Sequence, residues 1–266
     1  MDNYSYIARW IRGRYPDNGS VRVLDYGCGQ GTTVRMLRDQ SYDCYGCDAF
    51  VQIGKAPRDF LLNPQWFGSV IVDMPDGKIP FAAESFDIVV NNQVMEHVED
   101  IELTLSELRR VLRPGGVVFS VFPHKSVWRE GHCGVAFLHW FPKRSKVRLC
   151  YATVCRSLGF GYHKEKLGSI AAWARNRCQY LDEQTFYRTL PEIHRLFGKY
   201  FHKLEHWEAS YLRERLGGKA RLVASVPDAL LVALVRAAAG CVFSCEKADA
   251  EAARVAQDQR GNSNTA

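Results

Sequence analysis

The sequence predicts an α/β fold: an open, mostly parallel sheet with helices on both faces. Three observations carry this. Short, nearly apolar strands alternate with helical stretches from the N-terminus to Phe122, and strands buried on both faces read as continuous apolar runs. The first strand runs straight into a loop holding Gly27, Gly29 and Gly31, which opens a helix. The alternation stops after Phe122 and resumes near residue 181, as an insert within one domain would make it do.

In order, residues 6–16 form an amphipathic helix stopped at Pro16, and 21–27 a buried strand. Residues 32–40 are a helix, and 42–48, 68–74 and 85–93 are the second, third and fourth strands. Ile101, Leu105, Leu108 and Leu112 make one helical face, which Pro114-Gly115-Gly116 ends in a turn. Residues 117–123 are the fifth strand. The insert, 123–180, is aromatic and loop-rich, with one helix at 145–159 whose face is Val147, Tyr151, Val154, Cys155 and Leu158. Residues 182–200 are helical but crossed by Pro191, which suggests two pieces. A strand at 201–210, a helix at 227–239 ended by Gly240, and a strand at 241–247 follow. The expected domain is therefore 1–247, with a core of 1–122 and 181–247, an insert of 123–180, and a flexible tail of 248–266.

Composition narrows the classes. The 266 residues are 47% hydrophobic and 24% charged, enough apolar content for a full core and against bulk disorder. The N-terminus lacks an apolar signal core, and the run Ala229 to Val235 is far short of the ~20 residues of a membrane span. A soluble, cytoplasmic protein is expected, with its nine cysteines reduced. Cys44 and Cys47 have CxxC spacing but fall in a strand, where residues three apart face opposite ways. His124, His132, His139 and Cys133 match no compact ligand spacing, so no metal is expected. Charge is uneven: residues 1–100 carry nine Lys/Arg against fourteen Asp/Glu, whereas Pro123 to Arg177 carries eleven against two. That asymmetry points to an acidic partner.

The glycine spacing bears on the ligand. Glycines let backbone approach a ligand without a Cβ, and the helix behind them offers free N–H groups. Dinucleotide binding prefers G-x-G-x-x-G, but the third glycine comes one place early and Thr32 stands where it belongs. No Lys-Ser/Thr pair follows, which excludes a phosphate P-loop. Asp48 ends the second strand, where a carboxylate suits two ribose hydroxyls, of NAD as well as of other nucleosides.

The stretches "VLDYGCGQG", "YGCD", "DMPDGKIPFAAESFDIVVNNQVMEHVED" and "ELRRVLRPGGVVFSVFP" lie in order within residues 21–122. Together they resemble the core of the class I S-adenosylmethionine-dependent methyltransferases, of the broad type 11 kind. The resemblance implies a Rossmann-like, seven-stranded sheet with an antiparallel last strand, and "CVFSCEK" is placed to be that strand. It implies S-adenosyl-L-methionine as cofactor, with Gly27 and Gly29 at the methionine moiety, Asp25 orienting its ammonium, and Gly31 a further cofactor-binding glycine. Asp48 would take the ribose, Asp73 (or its rival Asp76) the adenine amine, and Met74 the ring face. Asn92 and Gln93 would lie near the sulfonium. Asp87 reads as structural.

Catalytic groups are not implied by the cofactor. His97 follows the fourth strand, and His132 and His139 lie just after the fifth, so these three are the candidates for removing an acceptor's proton. Trp128, Glu130 and Trp140 are the expected acceptor-lining residues; the alternative is a lid packed by its own aromatics, with histidines as struts. The expected acceptor is a small molecule or glycan-type metabolite, acidic, methylated on oxygen or nitrogen. Nucleic acid is the second choice, contact with an anionic membrane surface a third, and a non-catalytic cofactor-binding protein another reading. The oligomeric state is not legible.

Overall fold

A computed structural model describes residues 1–50, 57–162 and 168–248. The chain begins with α1 (Asn3–Arg14), capped by the Asp2 carboxylate on Ser5 N–H at 2.8 Å. Next come β1 (Arg22–Tyr26), α2 (Thr32–Arg38), β2 (Asp43–Asp48), α3 (Pro57–Phe60), β3 (Ile71–Asp73) and β4 (Phe86–Asn92). α4 (Ile101–Val111) leads into β5 (Leu112–Phe122). The insert holds a small hairpin, β6 (Arg129–Glu130) and β7 (Val135–Ala136), then α5 (Lys146–Ser157) and α6 (Ile170–Gln184). α7 (Leu190–Tyr200), β8 (His202–His206), α8 (Glu208–Leu216), α9 (Asp228–Ala238) and β9 (Cys241–Glu246) complete the fold.

Seven strands form one sheet in the order β3-β2-β1-β4-β5-β9-β8. β9, last in the chain, is antiparallel to both its neighbours, and the other pairings are parallel. Strand alternation divides the core in two. Val23, Ile88, Val90, Phe119 and Val242 meet α1, α2, α8 and α9 on one face. Leu24, Val89, Val118 and Phe243 meet α4 and α7 on the other. Each such side chain, fully buried, contributes about 1.5–3 kcal/mol. Cys44 and Cys47 lie on opposite faces, and all nine thiols are free. Asp87 is structural: it accepts from Arg22 N–H at 2.8 Å and from Arg113 at 2.7 Å, joining the starts of β1, β4 and β5.

Several expectations are corrected. Residues 182–200 do fall in two helical pieces, the end of α6 and α7, but the break lies before Pro191, which sits in the first turn of α7, where no N–H is needed, behind a Thr189–Glu192 capping box. The strand expected over 201–210 ends at His206, because Trp207 begins the turn into α8. Pro114-Gly115-Gly116 lies within an irregular start of β5. α6 runs through the boundary expected at 180/181, and its Leu181 packs in a third apolar cluster with Cys133, Leu138 and Trp173, so the insert has a core of its own and extends to Gln184. α5 is turned away from its expected face. Arg148 and Ala152 are buried, while Val147, Val154 and Leu158 are exposed, because Arg148 is drawn in by Asp182 at 2.5 Å. Of the expected tail, residues 249–266 lie outside the described residues.

Candidate active site

The strand order reverses beside β1, whose neighbours β2 and β4 lead outward in opposite directions, and ligands of open α/β sheets bind at that point. Two adjoining cavities open there, of about 620 and 290 Å³, sharing Gly27, Gly29 and Phe60. The larger falls within the 300–1,000 Å³ usual for cofactor sites. The three glycines serve different ends. A Cβ on Gly29 (φ +49°) meets no atom of the described residues within 4 Å, so that edge of the loop faces open space at the cavity. A Cβ on Gly27 (φ +73°) would strike Val94 Cγ2 at 2.4 Å. Gly31 corrects the expectation: its Cβ would strike Ile71 Cδ1 at 2.5 Å and it lines neither cavity, so it seats α2 against β3.

Asp48 knits the loop. One oxygen accepts from Gly29 N–H and the other from Phe50 N–H, both at 2.8 Å. A carboxylate offers about four lone-pair directions, so two remain for a vicinal diol in the larger cavity. Asp25 borders the smaller cavity, and its carboxyl is pushed up to about 7 by burial, with the Asp48 charge adding to it. Met74 is buried on the larger cavity's wall, and its N–H donates to Asp48 O at 2.9 Å. Gln93 lines the same cavity with φ +59°, while Asn92 borders the smaller one and accepts from Asn3 Nδ2 at 2.9 Å. Asp73 and Asp76 are exposed and line neither cavity, a correction to the adenine role read for Asp73: β3 is the sheet's edge strand, and its end faces solvent.

The insert reaches this wall through Gln184, which lines the larger cavity, and through one histidine behind it. His132, in the β6–β7 turn, approaches His97, which lines the larger cavity, with their Nε2 atoms 3.1 Å apart. His97 Nδ1 donates to the Gln184 carbonyl at 2.6 Å. His132 Nδ1 lies 2.7 Å from Glu130 Oε1, which also accepts from the Tyr187 hydroxyl at 2.8 Å; Glu130 Oε2 accepts from Cys133 N–H at 2.5 Å. Burial opposes Glu130's charge, yet these donors outweigh it and hold the carboxyl at about 2. Burial lowers His97, while for His132 the Glu130 carboxylate outweighs burial and raises it. Glu96 stands beside the pair, pushed up to about 7 by burial.

The other insert candidates go elsewhere. His139 is buried against Tyr187, with ring centroids 4.7 Å apart, and lines neither cavity; burial lowers its basicity. His124 is likewise buried, accepting from Ser126 N–H at 3.2 Å. Trp128 and Trp140 are 43% and 48% exposed and line neither cavity. Phe137 (φ +56°) begins the tight turn Leu138–Trp140, which sends His139 inward and Trp140 outward. Sequence reading passed over Glu96, Tyr187 and Gln184; only Glu96 carries a signal there, as His97's neighbour.

Residues 24–120 match the family model described as a methyltransferase domain. Similar proteins include a ubiquinone biosynthesis O-methyltransferase of Mesorhizobium japonicum, 28% identical over 156 residues (52% of this chain, 59% of that one). A malonyl-[acyl-carrier protein] O-methyltransferase of Enterobacter lignolyticus is 32% identical over 108 residues, 41% of each chain. The chain spans about half the length of the curated relatives it matches. Among solved structures, an S-adenosylmethionine-dependent methyltransferase from Mesorhizobium loti shares the fold, with a TM-score of 0.50 at 15% identity, covering 92% of this chain and 100% of that one. Sheet order, glycine loop and family match agree: residues 24–120 carry a methyltransferase domain of the S-adenosylmethionine-dependent class I, type 11 kind.

Proposed function

We propose that this chain methylates an oxygen of a small, acidic or glycan-type acceptor, with nitrogen as the alternative atom. The observation that carries this reading is His97 on the wall of the larger cavity, where the cofactor fits, with His132 behind it at 3.1 Å. The names of both relatives above specify O-methylation, which favours oxygen.

S-adenosylmethionine, when bound, supplies a methyl group on a sulfonium, already carried by a good leaving group. The chain's own task is to hold and align. Gly27 and Gly29 leave room for the amino-acid end, Asp48 takes the ribose diol, and Phe50, Met74 and Val98 offer an apolar wall. Such alignment supplies up to about 7–11 kcal/mol in favourable cases. His97, on the cavity wall with Glu96 and His132 behind it, is the group placed to receive an acceptor hydroxyl, and proton removal there is worth about 10²–10⁴-fold. Arg144, Lys146 and Arg175 surround a separate cavity of about 310 Å³ at the start of α5, a positive field that draws anionic acceptors to the insert.

The test is incubation of the protein with isotopically labelled S-adenosylmethionine and fractionated metabolites, glycans or total RNA, read by mass spectrometry. Label in an acidic small molecule or glycan, on oxygen, is the expected outcome. Label confined to RNA would replace the acceptor class. Cofactor binding with turnover in no fraction would leave a binding protein.

A further inference from the structure

The cluster around Glu96 holds buried polar atoms that no described residue answers. Glu96 is 1% exposed, and neither carboxylate oxygen has a hydrogen-bond partner among the described residues. A buried carboxylate left unpaired is costly, and such groups are normally paired or bound to metal. Beside it, the two imidazoles are oriented by their other nitrogens. His97 Nδ1 faces a carbonyl and His132 Nδ1 faces a carboxylate; both partners are acceptors, so both Nδ1 atoms carry protons. In the neutral rings each Nε2 then presents a lone pair, and the two stand 3.1 Å apart. Lone pairs facing across that gap repel unless a cation or a shared proton lies between them.

The geometry suits a cation. Two nitrogens each about 2.0–2.1 Å from a tetrahedral ion lie about 3.3 Å apart, close to the separation seen. A Glu96 oxygen and both Nε2 atoms lie within 4.8 Å of one another, the carboxylate a torsional adjustment from ligation. The Nδ1 partners match the acceptors that orient metal-binding imidazoles and raise their basicity. We propose that Glu96, His97 and His132 form a binding site for a divalent first-row transition cation on the wall of the cofactor cavity. Two imidazoles with one carboxylate suit such an ion better than magnesium or calcium, which prefer all-oxygen sets. The ligands come from the segment after β4 and from the β6–β7 turn, 35 residues apart along the chain, so the site fastens the insert to the sheet. Spacing in the sequence leads to no metal being expected; folding alone brings the three together.

The full chain, stripped with chelator, is titrated with Zn²⁺ against a chromophoric competitor and with Co²⁺ by visible absorption. One equivalent per chain is expected, with Co²⁺ bands of a four- or five-coordinate site. His132→Ala and Glu96→Gln should each weaken binding by about a hundredfold or more, beyond the 10–100-fold usual for loss of an outer partner. His194→Gln, on α7 away from the cluster, should keep the bands. Wild-type protein binding well under one equivalent of either ion would overturn the proposal, leaving the histidines to share a proton. Retention of the bands by the doubly substituted His97→Ala, His132→Ala chain would overturn it as well. If a variant does not fold, judged by circular dichroism, the wild-type stoichiometry and bands decide. Sinefungin affinity is measured on the same metal-free chain: binding there with no metal uptake refutes this site and leaves the methyltransferase reading standing.

Discussion

Gly27 and Gly29 are two residues apart in one loop, yet alanine at each should fail differently. At Gly27, φ +73° costs an L-residue about 1–2 kcal/mol. The new methyl also meets both Val94 methyls, at 2.4 and 2.7 Å, and overpacking of that kind adds about 1–3 kcal/mol. Gly27→Ala should therefore lose about 2–5 kcal/mol of folding stability. At Gly29 the backbone term alone applies, about 1–2 kcal/mol, because the methyl meets nothing among the described residues. Its cost appears when the cavity fills. A methyl forced against bound cofactor costs about 1–3 kcal/mol, or about 5- to 150-fold in affinity. Urea unfolding gives the stabilities and calorimetric titration with sinefungin gives the affinities. Val94→Ala should recover part of the stability lost by Gly27→Ala and none of the affinity lost by Gly29→Ala. Wild-type affinity in Gly29→Ala, or equal stability losses in the two variants, would refute the placement of the cofactor along this loop.

Asp48→Asn should weaken sinefungin binding about 10- to 100-fold, through loss of charge-assisted hydrogen bonds worth about 1.5–3 kcal/mol each, with an unchanged circular dichroism spectrum; unaltered affinity removes Asp48 from the ribose role. Asp25 titrates near 7 when folded against an ordinary 3.8, so the native state holds an extra proton between those values and stability falls as pH rises through that window. The integrated loss is at most about 4 kcal/mol, at about 1.4 kcal/mol per pH unit. Urea midpoints of Asp25→Asn should fall less than wild type's from pH 5 to 8, and parallel slopes would show an ordinary acid. His132→Ala should lower turnover more than sinefungin affinity, since His132 supports the cavity-lining His97, whereas His139→Ala should act chiefly on stability, since His139 packs on Tyr187 away from both cavities; a larger turnover loss from His139 than from His132 would invert the assignment. Asp182→Ala strands the buried Arg148 and should cost about 3–5 kcal/mol, seen as faster proteolysis of the insert; an unchanged digestion pattern would show that the pair does not hold α5.

Periodicity and punctuation were enough to determine most strands and the parallel sheet, and to put the glycine loop and Asp48 at strand ends. Val23, Leu24 and their counterparts are apolar on both faces because helices cover both, and that need is local to each strand. The glycine loop and Asp48 are legible for the same reason: they follow directly on strands whose ends the fold class already places. Asp73 shows the limit, since only the sheet order makes β3 an edge and sends its final carboxylate to solvent. The insert was legible as an insert and little more. Its side chains take their directions from long-range partners: Arg148 turns inward to Asp182, Glu130 collects His132 and Tyr187, and His132 crosses to His97. Backbone periodicity encodes which side of an element is apolar. Which buried polar groups find one another is settled by desolvation, as each charged or hydrogen-bonding atom must be answered by whatever the folded chain brings within reach.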